Sequence, residues 1–386
     1  MPLARDVWLL FGSRSLRLFA YGLLSVVLAL YLAAIGLNDQ QIGLLLTCTL
    51  VGDALLSLFI SRYADRIGRR RMLLLGAGLM ILAGVVFSLT SHPLILTIVA
   101  FVGVLSPTGN EAGPFIAIEQ AALAHIIDSR QRTRVFAWYN LVGSLATALG
   151  AFTGGAVVEI LRQWSISLAQ SYRMLFAIYA LVGVGLGALF LIVSSRVEVT
   201  GVASRAVGAV GLQRSRSIVQ RLSSLFFVDS FAGGLVVQSL LAYWFHVRFG
   251  ADAAALGRLF FWVNIVAGLS ALVAARLAAR FGLINTMVFT HIPANIFLLL
   301  TPLMPTMPLA MAMCVLRYSV AQMDVPARHS YLMAVVAPDE RSAAAGVTTF
   351  ARTAGSALAP SITGALFNAS FLNAPFFIAG SLKIAY

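Results

Sequence analysis

Seven charged side chains sit where this chain is otherwise apolar. Counting about 1.5 Å per residue of helix from the arginine-marked ends of the apolar runs puts Asp53, Arg317 and Arg352 near the middle of their runs. Arg17, Glu111, Asp229 and Asp324 fall about a third of the way in. Each such charge costs roughly 2.5 to 3.5 kcal/mol at the centre of a bilayer unless water or a partner meets it. The chemistry open to them is recognition and proton transfer. A guanidinium holds an anionic or polar group, and a buried carboxylate takes a proton from one side and releases it to the other when a cation approaches. Arg317 and Asp324, seven residues apart, share one helix face, which Arg328 continues. Catalysis has no comparable footing. His-Glu-x-x-His, Gly-x-Ser-x-Gly and P-loop lysine patterns are missing, and His92, His125, His246, His291 and His329 are scattered over separate segments. An enzyme, a bound cofactor, a metal site and self-contained ATP drive are therefore not expected. Cys48 and Cys314 lie in apolar runs and read as small hydrophobes.

The elements that must position these charges follow from composition. Of 386 residues, 60% are hydrophobic and 11% charged, with a mean hydropathy of +0.91. A water-soluble domain needs about 25% charged residues to cover its surface, so the expected solvent is lipid. The formal charge of +13 is not gathered on a polar domain of the kind that binds nucleic acid. A span needs about 20 residues, and twelve candidates appear, at about 8–34, 40–61, 72–90, 94–124, 134–158 and 173–194, then 221–247, 254–277, 284–303, 308–336, 342–369 and 374 onward. The last is short enough to predict a truncated twelfth helix. No Ala-x-Ala-like cleavage site follows the first, which reads as a retained helix.

Arginines crowd alternate loops: Arg62 to Arg71, Arg130 to Arg134, Arg196 to Arg221, and Arg276 with Arg280. The positive-inside rule then puts both chain ends in the cytoplasm. Residues 195–220 form the long polar connection, dividing the chain into a bundle at 1–194 and a second at 221–386. The halves repeat. Phe19-Ala20-Tyr21-Gly22-Leu23, with Leu28 and Tyr31, recurs as Phe231-Ala232-Gly233-Gly234-Leu235, with Leu240 and Tyr243. Ile42-Gly43 matches Leu256-Gly257, and Arg62, Ala64, Arg66 and Gly68 match Arg276, Ala278, Arg280 and Gly282. Two copies of like orientation predict an all-α membrane protein with a pseudo-twofold axis along the membrane normal and a site between the halves.

The loop Ser61-Arg62-Tyr63-Ala64-Asp65-Arg66-Ile67-Gly68-Arg69-Arg70-Arg71 resembles the signature of the major facilitator superfamily, roughly Gly-x-x-x-Asp-Arg-x-Gly-Arg-Arg, with Ser61 in place of the first glycine. With the twelve spans, the central connection and the weaker second copy at Arg276 to Gly282, the resemblance covers nearly the whole chain. It implies a secondary transporter working by alternating access, commonly as a monomer, with spans one, four, seven and ten around a central cavity. The spans so implied carry Arg17, Glu111, Asp229 and Asp324. Arg17, Arg317, Asn110 and Gln322 are then expected to meet substrate, and Glu111, Asp229 or Asp324 to bind the coupling proton. Arg14 is expected to snorkel at the cytoplasmic interface, and Glu119, Arg328 and His329 to sit at the inner mouth.

Asp65, Arg66, Gly68 and Arg69 are expected to gate. Gly68 permits a tight turn, the arginines hold the loop at the anionic face, and Asp65 is stabilised by the positive end of the eleventh span near Ser342 only when that side is closed. Spans two and eleven touch across the halves in the resembled fold, so Asp53 and Arg352, at similar depth, are expected to form an ion pair between them. Gly150-Ala151-Phe152-Thr153-Gly154-Gly155 is similar to an exporter element of the superfamily, with Ala151 for proline, and reads equally as close helix packing. Pro107, Gly109, Gly113 and Pro114 break the fourth span, and Pro326 and Pro360 interrupt the tenth and eleventh; such breaks often line binding sites. Tyr243 and Trp244 are expected in an interfacial belt. The function expected is proton-coupled efflux of a small organic or polar solute from a bacterial inner membrane. The alternatives are an importer or facilitator of an anionic or zwitterionic metabolite, and a sensor that binds without transporting.

Overall fold

In the computed structural model, residues 5–110, 115–127, 132–194, 214–323, 328, 331–332, 334–337 and 340–385 are described. The helices are α1 (Arg5–Ala34), α2 (Asp39–Ile67), α3 (Arg69–Leu89), α4 (Pro93–Val102), α5 (Phe115–Ile126), α6 (Arg132–Gln163) and α7 (Leu168–Ile192). They continue as α8 (Arg216–Gly234), α9 (Gln238–Phe249), α10 (Ala253–Phe281), α11 (Leu283–Leu300), α12 (Met307–Ala321), α13 (Arg341–Asn368) and α14 (Ala374–Ala385). Eight stretches are long and apolar enough to span a bilayer, one of them α8 and α9 together. The fourth span is divided between α4 and α5, the tenth and twelfth are carried by the shorter α12 and α14, and the eleventh is the more polar α13. The arrangement is the twelve-helix, two-bundle fold expected, and the described residues include no strand.

The outer surface is apolar, as lipid requires: Leu181 and Phe289 are 69% and 75% exposed. Inside, α1 packs on α6 and α7, and α3 on α7; in the second bundle α8 packs on α13 and α14, and α11 on α12. Lipid tails are as apolar as leucine, so close helix approach must come from small residues. The run at Gly150 does this. A Cβ on Gly150 would lie 1.9 Å from the Phe19 carbonyl oxygen of α1, and one on Gly155 would lie 2.3 Å from the Ala253 oxygen of α10.

The repeat in sequence is a repeat in space. Gly22 lies against the Thr147 backbone of α6, and its copy Gly234 against the Ser356 backbone of α13. Gly43 of α2 meets Pro360 and Gly364 of α13, while its copy Gly257 of α10 meets Ala151 and Gly155 of α6. The two bundles are thus joined by two equivalent crossings. Gly68 and its copy Gly282 both carry positive φ, 109° and 84°, and both end a helix before the next one starts.

Candidate functional site

A cavity of about 740 Å³ lies between the bundles. Its far side, away from the arginine-rich loops, is closed where two broken spans meet α1. The fourth span unwinds between α4 and α5, and the seventh between α8 and α9. Ser239, at the start of α9, donates through its hydroxyl to the Ser25 and Pro107 carbonyl oxygens at 2.8 and 2.9 Å, and through its backbone N–H to Pro107 at 3.0 Å. Gln238 Nε2 donates to Ser25 Oγ at 2.7 Å. Farther out, the Tyr243 hydroxyl donates to Asp39 Oδ1 at 2.6 Å. The carbonyl freed by the break at Pro107 therefore serves the seal between the bundles. From that seal the lining runs through Asn110 and Gln322 to Arg14, Ile116, Arg328 and Thr349, towards the arginine-rich side.

Asp229 is the one carboxylate among the described lining residues. It is 5% exposed and held by three groups from three elements: Arg328 Nη1 at 2.7 Å, Lys383 Nζ of α14 at 2.5 Å, and His291 Nε2 of α11 at 3.8 Å. Arg317, 8% exposed, also lines the cavity, with its guanidinium carbon 4.9 Å from the Tyr318 ring centre. Its Nε and Nη1 have no hydrogen-bond partner. Arg352 of α13 faces the same space.

Arg17 requires a correction. Expected at the substrate, it is fully buried outside the cavity lining, with Nη1 and Nη2 each 2.8 Å from an oxygen of Glu119. Ser13 donates to the same carboxylate at 2.7 Å, the Tyr139 hydroxyl does so as well, and the Phe115 ring stacks 4.6 Å from the guanidinium carbon. Glu119 is likewise no mouth residue, and both of its oxygens are satisfied, which is what a buried charge in lipid requires. Arg14 does not reach the membrane edge. It is 6% exposed, lies 4.1 Å over the Tyr139 ring and donates to Asn140.

Two more expectations change. Tyr243 and Trp244 are buried, the first in the seal and the second against Phe376, so neither belongs to a lipid-facing belt. Lys383 was not singled out from the sequence, though it is the chain's one lysine, in a run otherwise apolar. That isolation was the available signal. Glu111 and Asp324 lie outside the described residues, as do the side chains of Asp65 and Arg66. Arg69 is buried at the start of α3.

Asp53 of α2 and Arg352 of α13 sit on the antiparallel crossing set by Gly43 against Gly364, where the Ser361 N–H donates to Thr47 Oγ1 at 2.9 Å. That register, carried about two turns towards the arginine-rich side, puts Asp53 within one turn of Arg352 along the crossing.

The sequence pattern of the Major Facilitator Superfamily matches residues 10–360. The chain belongs to the Major Facilitator Superfamily. It is therefore a multi-pass membrane transporter and not an enzyme. An uncharacterised membrane protein of Saccharomyces cerevisiae is 31% identical over 412 aligned positions, spanning 99% of this chain and 92% of that one. The quinolone resistance protein NorA of Staphylococcus aureus is 22% identical over 178 positions, 46% of this chain and 45% of NorA. Among solved structures, the nucleoside transporter NupG superposes with a TM-score of 0.75 at 12% identity, over 99% of this chain and 97% of that one. The last likeness is one of fold.

Proposed function

We propose that this member of the superfamily is a proton-coupled secondary transporter that carries a small polar or organic solute through the cavity at Arg317 and Asp229. The moving bodies are the bundles at 1–194 and 221–386, joined by 195–220, and the working unit is one chain. Asp229 is the proton site. The observation that carries this reading is the mixed-charge wall itself: the buried Asp229 carboxylate shared by Arg328, Lys383 and His291, beside an arginine with unmet donors. A solute that draws a cation off Asp229 leaves a buried charge that a proton neutralises at less cost than solvent could. Asn110 and Gln322 supply neutral polar contacts along the same lining. Glu111 and Asp324 are further candidates for the proton.

Export is the favoured direction, supported by the Gly150 to Gly155 element and by the likeness to a quinolone resistance protein, since removing a compound from the cell is one route to resistance. Uptake is the second reading, supported by the cation-rich lining, which suits an anionic metabolite. The arginine bias of alternate loops favours both ends on the cytoplasmic side, and the arginine-rich, lysine-poor composition with compact loops suits a bacterial inner membrane. Reconstitution in liposomes with a trapped pH dye tests the proposal. A screen of anionic, zwitterionic and cationic solutes is expected to find solute-dependent proton movement that Asp229→Asn abolishes, and its sign gives the direction. Solute binding with no flux under either gradient would overturn the reading in favour of a sensor.

A further inference from the structure

Among the described lining residues, five cations, Arg14, Arg317, Arg328, Arg352 and Lys383, face one carboxylate, Asp229. Two of the five share that carboxylate. Arg14 is occupied by Tyr139 and Asn140. Arg317 lies against Tyr318 with no carboxylate among its described partners: it is more than nine-tenths buried, it faces the cavity, and its Nε and Nη1 donate to nothing. A guanidinium withdrawn from water and left unmatched is held at a cost, and the species that removes the cost is an anion. The remaining wall is polar. Asn264, Asn295, Thr349, Thr353 and Ser356 offer amides and hydroxyls, and Tyr318 is the one Phe, Tyr or Trp among the described lining residues. Flat lipophilic molecules bind in pockets that are mostly apolar and aromatic, and cations would meet a wall of their own sign.

We propose that the solute is a polar organic anion whose carboxylate or phosphate oxygens are taken by Arg317. The neighbouring Lys383 is the second contact: the anion competes with Asp229 for it. This assignment rests on the transport reading of the same cavity, and names the class of solute that reading leaves open.

The sign of the cavity can be measured without knowing the solute. In a Cys48→Ala, Cys314→Ala background, Thr353→Cys places one thiol on the cavity wall. Its reaction rates with the anionic 2-sulfonatoethyl and the cationic 2-(trimethylammonium)ethyl methanethiosulfonates are compared with those of a free small thiol. Relative to that reference, the anionic reagent is expected to be favoured by about tenfold or more, as focused cavity fields typically produce. Arg317→Gln should lower the preference several-fold and Arg317→Lys should keep most of it, with monodispersity and melting temperature in detergent confirming that both variants fold. A preference for the cationic reagent, a ratio untouched by Arg317→Gln, or no reaction with either reagent would overturn the proposal. Transport enters none of these rates. A cavity of the expected sign in a protein that moves no solute would sink the transporter reading alone.

Discussion

Arg17 and Asp229 occupy equivalent places in the two halves, 212 residues apart, and carry opposite charges. Each is paired with an opposite charge on the fourth span of its own half: Arg17 with Glu119 at 2.8 Å, Asp229 with Arg328 at 2.7 Å. The repeat has kept the brace and exchanged acid for base. The surroundings differ. The first pair is sealed at 0% exposure on both sides, while the second borders the cavity and is shared with Lys383.

The sealed pair should therefore behave as structure. Glu119→Gln strands the Arg17 guanidinium in the bundle and should cost about 3 to 5 kcal/mol of stability, as breaking a buried pair does. Arg17→Met with Glu119→Met removes both charges and should recover most of the loss. Thermal unfolding in detergent reads both variants. A double variant no more stable than the single one would show that the pair does more than brace the helices.

The shared pair should behave as machinery. Lys383→Met leaves Asp229 its contact with Arg328, so the protein should fold, while solute-driven proton flux in liposomes falls by about tenfold or more, the scale of losing one partner from a buried charge contact. Counterflow exchange of labelled solute under symmetrical pH separates coupling from binding. Undiminished net flux would remove Lys383 from the cycle.

Asp53 and Arg352 come within one turn of each other on the crossing of α2 and α13, and the ion pair proposed between them makes a further prediction. Asp53→Asn alone should lower expression and transport more than Asp53→Asn combined with Arg352→Gln. Equal damage from the two variants would sink the pairing.

The crossing also depends on having no side chain at Gly43, where a Cβ would lie 2.4 Å from the Pro360 oxygen. Gly43→Ala should reduce folded yield and melting temperature, by about 1 to 3 kcal/mol as overpacking does. Gly78→Ala, with nothing within 4 Å, is the matched control and should be silent.

Twelve spans, two bundles and the signature loop were legible because lipid imposes length, polarity and arginine placement on every segment. The break at Pro107 is legible too, but Pro360, expected to interrupt the eleventh span, lies inside the continuous α13, because packing against neighbouring helices can hold a helix together through a proline. Partners were harder. Depth along a helix can be counted, so Arg17 and Asp229 were found. The face that each presents depends on packing, so the sequence points Arg17 at the cavity although it turns towards Glu119. Lys383 was overlooked because its short run reads as an end, and its value emerges only when α14 packs on α8 beside Asp229. His291 looked solitary for the same reason: its neighbour is 62 positions away.

Lys383 has a practical consequence. Since it is the chain's one lysine, its side chain is the single ε-amine of the molecule, and it stands on the cavity wall. Reductive methylation with isotope-labelled formaldehyde would mark the amino terminus and this one side chain, each with its own resonance. The protein thus carries a built-in spectroscopic reporter on the ion pair at Asp229, readable in lipid without any introduced residue.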